Sequence, residues 1–309
     1  MKEQIICRVL TGPTGSGKSE IAMQLAEENG WAILCMDSMQ IYRRMDIGTA
    51  KPTPAERKKV PHYLLDLCEP DESFSVSRYI EAAEQCVREQ RETGKEVLFV
   101  GGTGLYLEGM MKPMAMGNTE ADESLRQELH LLAEKPDGLL QLDQRLRESD
   151  PATADKLPLN DIRRRIRAIE VYEATGIPFS RQENRRTESP FRWIPVSLWT
   201  EREELYRRIN IRTERMIASG LAEEVKSLLQ SGIPEDAQSM QAIGYKEMVP
   251  FLRGALPLEW AVSEIQKRTR HYAKRQITYL KRMDEIRYVE TERKDRIERI
   301  RNIFMEGQC

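Results

Sequence analysis

A chain of 309 residues with 40% hydrophobic and 32% charged residues has enough material to bury a core in one large domain or two unequal ones, which excludes a disordered polymer. The formal net charge is only −2, so any nucleic-acid surface has to come from local clustering of cations. No run of about 18 apolar residues occurs, so no membrane span is expected.

Met1-Lys2-Glu3-Gln4 leads directly into an apolar stretch too short for a signal peptide, and no small-residue cleavage site follows. Ile5 to Leu10, rich in β-branched residues and followed at once by Thr11-Gly12-Pro13, predicts a buried strand. Ser19 to Glu28 predicts a helix with Ile21, Ala22, Leu25 and Ala26 on one face, stopped by Asn29-Gly30. Trp31 to Met36 is a second strand ending in Asp37-Ser38. A helix follows over Val76 to Thr93, closed by Gly94, and Val97 to Val100 is a third strand running into Gly101-Gly102-Thr103-Gly104. Strands alternating with helices predict an α/β fold with a parallel sheet covered on both faces.

From about Pro113 to Pro190 the patterning is helical, with dense charge and polar breaks at Gly117-Asn118 and Ser149-Asp150-Pro151. Trp193 to Trp199 reads again as a strand, and Pro195 within it predicts an edge position. Helices resume from Glu203 to the end. The helical block is an insertion in an α/β core, or the core is continuous with a long helical flank. Cys7, Cys35, Cys68, Cys86 and Cys309 are odd in number and form no C-x-x-C pair, which argues against a disulfide framework or zinc site and points to a reducing cytosol. His62, His130 and His271 show no metal-ligand spacing.

Gly12-Pro13-Thr14-Gly15-Ser16-Gly17-Lys18-Ser19 matches G-x-x-x-x-G-K-[ST] in full, with a strand before it and a helix after it. Gly15 and Gly17 let the backbone curl so that N–H groups converge on phosphate oxygens. The helix adds its positive dipole end, Lys18 a mobile cation and Ser19 a hydroxyl for Mg²⁺. The loop identifies a phosphate, not a reaction. Chemistry in such sheets gathers at the carboxyl ends of strands. There Asp37 is a Mg²⁺ ligand or base, or else a cap for the next turn. Thr103 hydrogen-bonds a substrate or shapes its turn, and the paired glycines admit a ligand or another backbone.

Three basic stretches follow. Arg163, Arg164, Arg165 and Arg167 come just after Asn160-Asp161, a natural helix cap. They form either a nucleic-acid contact or a solvated face paired with acids such as Glu170 and Glu173. Arg208, Arg212 and Arg215 share one helical face. From Lys267 to Arg282 there are seven Lys/Arg and no acid. There Arg268, Tyr272, Arg275, Tyr279 and Arg282 form a stripe suited to phosphate contact and base stacking, or to an ordinary amphipathic helix.

These segments together resemble the bacterial tRNA dimethylallyltransferases over nearly the whole chain. The matching segments are GPTGSGKS at Gly12 to Ser19, DSMQIYRRMDIGTAKP at Asp37 to Pro52, PHYLLD at Pro61 to Asp66 and VGGTGLY at Val100 to Tyr106. NDIRRRIRAIEVYEATG at Asn160 to Gly176, QAIGYKE at Gln241 to Glu247 and TRHYAKRQITYLKR at Thr269 to Arg282 complete the set. The resemblance implies a P-loop NTPase-like α/β core over 1–112 and 191–309, with a helical insertion domain over 113–190 that contacts tRNA. It implies transfer of a dimethylallyl group from dimethylallyl diphosphate to N6 of the adenosine at position 37 of tRNA, just 3′ of the anticodon, by a cytoplasmic monomer using Mg²⁺.

By the same resemblance Asp37 is the general base, Ser19 and Asp37 lie near Mg²⁺, and Thr103 touches the substrate. Gly12, Thr14, Gly15, Ser16, Gly17, Lys18 and Ser19 hold the diphosphate, toward which Arg212 is directed. Asp37, Ser38, Met39, Gln40, Asp161, Arg163, Arg164, Arg165, Arg167, Gln241, Gly244, Lys246, Lys274 and Arg275 face the tRNA anticodon stem-loop. The chain departs from the family pattern in three places. Only Cys309 stands where some members carry a C-terminal zinc finger, so no finger is expected. Ile162 replaces a frequent proline, and Arg165 a frequent apolar residue. A small-molecule or nucleotide kinase on the same fold explains the phosphate loop and Asp37 but not the basic stretches. An RNA-binding NTPase explains those stretches but leaves Asp46 to Pro52 without a use.

Overall fold

The computed structural model describes residues 4–112, 122–182, 189 and 191–306. The expectations for residues 113–121 and 183–188, the Gly117-Asn118 break and Cys309 lie outside these. The chain divides into two compact units, Met1–Met111 with Pro190–Cys309, and Lys112–Ser189.

In the first unit the elements are β1 (Ile5–Thr11), α1 (Lys18–Asn29), β2 (Ala32–Cys35), α2 (Pro54–Lys59), β3 (His62–Tyr63), α3 (Val76–Glu92), β4 (Val97–Val100) and α4 (Gly104–Met111). The second unit contributes α5 (Glu123–Ala133), α6 (Gly138–Ser149), α7 (Pro151–Lys156) and α8 (Ile162–Thr175). The chain then returns through β5 (Phe191–Trp199), α9 (Arg202–Ala218), α10 (Leu221–Gln230), α11 (Tyr245–Leu252), α12 (Leu258–Leu280), β6 (Arg287–Glu290) and α13 (Arg296–Glu306).

The sheet order is β3-β2-β4-β1-β5-β6 and every pairing is parallel. β2 and β4 are buried along their length, as continuous apolar strands covered on both faces must be. One face packs Leu10, Val100, Val196 and Leu198 against Ile21 and Leu25 of α1 and Ile300 and Phe304 of α13.

Two expectations need correction. β5 is not an edge strand, because it lies between β1 and β6. Pro195 is tolerated because β6 pairs only with Val196 to Trp199, so the proline falls just before that ladder begins. The C-terminal third is not purely helical, since β6 closes one side of the sheet. That strand is short and largely exposed, which hides the alternation that marks a strand.

Arg8 of β1 is fully buried. Its guanidinium lies 4.5 Å from the centre of the Trp31 ring and its Nη2 donates to Glu96 Oε1 at 3.3 Å. Trp31 Nε1 donates to the other Glu96 oxygen at 2.9 Å, while Arg8 Nε and Nη1 have no protein partner. Glu96 is thus the carboxylate paired with this buried cation. Removing one member of such a pair strands the other charge, so Glu96→Ala should cost about 3 kcal/mol, read from the denaturation midpoint at unchanged m-value. Arg8→Met should be near neutral, because it removes the charge and keeps the volume. A Glu96→Ala loss below about 1 kcal/mol would show that ordered water already serves Arg8.

In the helical unit, Leu129, Leu142, Leu146, Ala154, Ile166 and Ile169 form a separate apolar core. Three of its helix starts carry a side-chain cap: Asp122 for α5, Asp150 for α7 and Asp161 for α8 accept from backbone N–H groups three residues on, which satisfies donors that the helix itself cannot.

Candidate active site

β1, β2 and β4 deliver their carboxyl ends to one edge of the sheet. After β1 the phosphate loop curls through Gly12, Gly15 and Gly17, with φ of 141°, 83° and 81°, a region that a side chain strains. The loop is held from outside. The Thr14 N–H donates to Gln276 Oε1 at 2.9 Å, and Arg212 Nη1 donates to Thr14 Oγ1 at 3.1 Å. Ser16 is buried and its hydroxyl has no protein partner.

Two residues past β2, Asp37 Oδ1 accepts from the Met39 N–H at 2.9 Å, so the capping role is real. No protein hydrogen bond occupies its other oxygen among the described residues. After β4 the Thr103 hydroxyl accepts from the Ser38 N–H at 3.1 Å, so Thr103 shapes the Asp37 turn directly. The two glycines before it have separate reasons. A Cβ on Gly101 would sit 1.9 Å from Met36 O, and one on Gly102 would sit 2.2 Å from Gln276 Nε2.

Thr14, Lys18 and Ser19 of the phosphate loop, Asp37 and Gly101 border one cavity of about 410 Å³, whereas Thr103 is not among its lining residues. Lys18, Ser19, Asp37, Arg212, Lys246 and Arg275 supply its charged and polar wall, and Ile33, Met216, Ile243 and Ile265 part of its apolar wall. Burial, then repulsion from Arg212, lowers the Lys18 pKa to about 8, against the opposing pull of Asp37. Burial also lowers the Arg212 pKa, again opposed by Asp37. Burial and the nearby Asp37 charge raise that of the Tyr272 hydroxyl, which lies within hydrogen-bonding reach of Thr103 and Gln276. Two desolvated cations beside one carboxylate form a site whose charge an incoming polyanion completes.

The Lys18 shift has a measurable consequence. An anion needs the protonated lysine, so inorganic diphosphate should bind more weakly as pH rises above about 8, with Kd climbing toward about tenfold per unit. Binding above that pH should take up a proton, seen by calorimetry in buffers of different ionisation enthalpy. In the folding equilibrium the unfolded chain holds this proton more tightly. Lys18 therefore costs stability below pH 8, and the cost is relieved as pH rises toward 10.5.

The segment after Asp37 is locked from a distance. The N–H groups of Asp46, Ile47 and Gly48 all donate to the Glu224 carboxylate, at 2.9, 2.8 and 3.1 Å. The Tyr245 hydroxyl donates to the same group at 2.6 Å. A Cβ on Gly48 would strike the Tyr245 ring at 2.4 Å. Buried Lys51 Nζ donates to Tyr42 O at 2.7 Å and pairs with Asp66 and Asp46 at 2.8 Å. Gln40 donates to Thr49 O and Ala50 O and accepts from the Cys35 thiol, so its side chain braces this segment where it borders the cavity.

Several expected tRNA contacts need correction. Arg165 is buried: it donates to Pro158 O, Ala154 O and Leu157 O and pairs with Asp143. It fills a core position of the helical unit. Gly244 is also buried, with its N–H donating to Glu247. Its φ of 105° turns the chain into α11.

Arg163 and Arg164 are exposed, with Arg164 paired to Asp161, and Arg167 pairs with buried Glu170. The C-terminal stripe divides. Tyr272 and Arg275 border the cavity, Arg268 pairs with Glu247 and Glu264, and Tyr279 covers Gly104 and donates to Glu108. Ser38, Met39, Gln241 and Lys246 border the cavity and Lys274 is exposed. Gln276, Glu224 and Lys51 were not singled out by sequence reasoning, although all but Glu224 lie inside segments quoted above.

A parallel sheet with a phosphate loop, two desolvated cations and a carboxylate around one cavity defines a P-loop enzyme for a phosphorylated substrate. The family model described as IPP transferase matches residues 40–283. A tRNA dimethylallyltransferase of Pelotomaculum thermopropionicum is 45% identical over 92% of this chain and 90% of that protein. Another, from Syntrophus aciditrophicus, is 41% identical over 97% and 96%. The solved full-length tRNA isopentenylpyrophosphate transferase of Bacillus halodurans superposes with a TM-score of 0.70 at 36% identity, covering 98% and 95%. A eukaryotic dimethylallyltransferase solved acting on tRNA gives a TM-score of 0.80 at 27% identity, covering 99% of this chain and 79% of that one. The chain belongs to the IPP transferase family, that of the tRNA dimethylallyltransferases.

Proposed function

We propose that this enzyme transfers the dimethylallyl group of dimethylallyl diphosphate to N6 of the adenosine at position 37 of tRNA, 3′ of the anticodon, with release of diphosphate. The observation that carries the reading is the single cavity that groups Lys18 and Arg212 with Asp37 beside an apolar wall. The names of the relatives support tRNA as acceptor and favour transfer over a kinase reaction.

The allylic C–O bond breaks as the N6–C bond forms. Lys18 and Arg212 stabilise the charge that grows on the leaving diphosphate. Asp37 takes the proton that N6 becomes able to lose once it bonds to carbon. The target base leaves its stack to enter the cavity. Ser19 and Asp37 border that cavity with hard oxygen donors, a donor set that fits Mg²⁺. Mg²⁺ commonly keeps several waters and substrate oxygens, so two protein donors are enough to hold it. When bound, Mg²⁺ would neutralise part of the leaving group's charge.

We propose that Lys246, Lys274 and Arg275 of the core contact tRNA, that Arg163, Arg164 and Arg167 do so on the helical unit, and that the enzyme acts as a cytoplasmic monomer. Its tRNA affinity should fall steeply with salt despite the net charge of −2. Lys274→Ala with Arg275→Ala should each flatten the log–log slope by roughly 0.7 to 0.9. An unchanged slope and affinity would leave α12 a purely structural helix.

The decisive test supplies labelled dimethylallyl diphosphate, tRNA and Mg²⁺, followed by digestion to nucleosides. Label on N6-modified adenosine from that one position is expected. Phosphate release from ATP at kinase-like rates, with no prenyl transfer, would overturn the reading.

A further inference from the structure

We infer that Gln276 is a positioning residue that sets the phosphate loop, and through it Arg212, for the leaving diphosphate. Gln276 is buried in α12, and both ends of its carboxamide are committed. Oε1 accepts from the Thr14 N–H at 2.9 Å, and Nε2 donates to Gly102 O at 2.8 Å. One side chain thus ties the loop after β1 to the loop after β4. The contact is close enough to dictate glycine at 102, where a Cβ would meet Nε2 at 2.2 Å and Gly12 O at 3.0 Å.

Thr14 is the junction. Its N–H belongs to Gln276, and its hydroxyl accepts from Arg212 Nη1 at 3.1 Å. Fixing the Thr14 backbone therefore fixes where the Arg212 guanidinium is anchored. Arg212 is desolvated, so a small displacement changes its interaction with an anion strongly. Gln276 also occupies the Thr14 N–H, which leaves the later amides of the loop to meet an anion. The residue touches no reacting atom. It acts by holding two groups in register, and misplacement of such groups by about 1 Å can cost about 10²-fold.

The inference rests on the diphosphate reading of the loop, so wild-type prenyl transfer is the first arm of the experiment. If the wild type transfers no prenyl group, that reading fails, not this one. Gln276→Met keeps length and burial and removes both hydrogen bonds. We expect kcat/KM for dimethylallyl diphosphate to fall about 10²-fold while tRNA Kd stays within about twofold.

A double-mutant cycle with Thr14→Val, which breaks the Arg212 anchor, should be strongly non-additive, because both changes interrupt one chain of contacts. Gln276→Glu serves if the methionine variant folds poorly. As a protonated acid it reproduces the accept-and-donate pattern, and as a carboxylate it loses the bond to Gly102 O. Its activity should therefore return as pH is lowered, relative to wild type. The inference is overturned by an intact kcat/KM for the diphosphate in folded Gln276→Met, by multiplicative effects in the cycle, or by a Gln276→Glu profile parallel to wild type.

Discussion

Asp37→Asn should lower the single-turnover rate of prenyl transfer by about 10²- to 10⁴-fold and change tRNA affinity by no more than about threefold. The substitution is conservative in shape. An asparagine Oδ1 still accepts from the Met39 N–H, the bond that the aspartate makes at 2.9 Å, and the Ser38 to Thr103 bond next to it is untouched. The turn therefore survives. What is lost is a negative charge beside Lys18 and Arg212 and an oxygen able to accept a proton. Affinity for tRNA comes mostly from many phosphate contacts elsewhere, which a single internal carboxylate does not make. A near-normal rate with collapsed tRNA binding would make Asp37 a recognition residue and require another base.

Lys18→Ala should reduce kcat/KM for dimethylallyl diphosphate by about 10²- to 10³-fold, the range seen when one preorganised charge stabiliser of a transition state is removed. The lysine lies in a desolvated setting that already depresses its pKa to about 8. Its interaction with an arriving anion is therefore strong, and no neighbour replaces it, because Arg212 is tethered to Thr14. Raising pH should mimic the substitution. The wild type should lose diphosphate affinity above about pH 8 as Lys18 deprotonates, whereas Lys18→Ala should show no such limb. A limb that persists in the variant would assign the titration to another group.

The phosphate loop was legible in the sequence because its signature is local: the motif residues lie within eight positions, with a strand before and a helix after. The same holds for β1, β2, β4 and α3, whose patterns are long or strongly apolar. β3 and β6 were not legible, since two and four residues carry little periodicity and their pairing is decided by distant partners. The site behaved likewise. Lys18, Asp37 and Arg212 do border one cavity, yet nothing in the string reveals that Gln276 holds the loop or that Glu224 fills the amide cradle at Asp46 to Gly48.

Charge misled in the opposite direction. Arg165 counts toward a basic cluster in the sequence, but its guanidinium serves three carbonyls and Asp143 inside the helical unit. Helical spacing places it on a face without saying whether that face meets solvent.

The far-apart origin of the loop's supports bears on how the molecule is made. Thr14 waits for Arg212, 198 positions later, and for Gln276, 262 positions later, while Gly48 waits for Glu224, 176 positions later. During synthesis the phosphate loop therefore leaves the ribosome well before the residues that brace it. Closing contacts of such long range is entropically slow, and a nascent chain released before α12 would own the signature motif without its braces. Competence should appear late and abruptly, when α12 docks, and ribosome-bound chains stalled before that point should bind diphosphate only weakly.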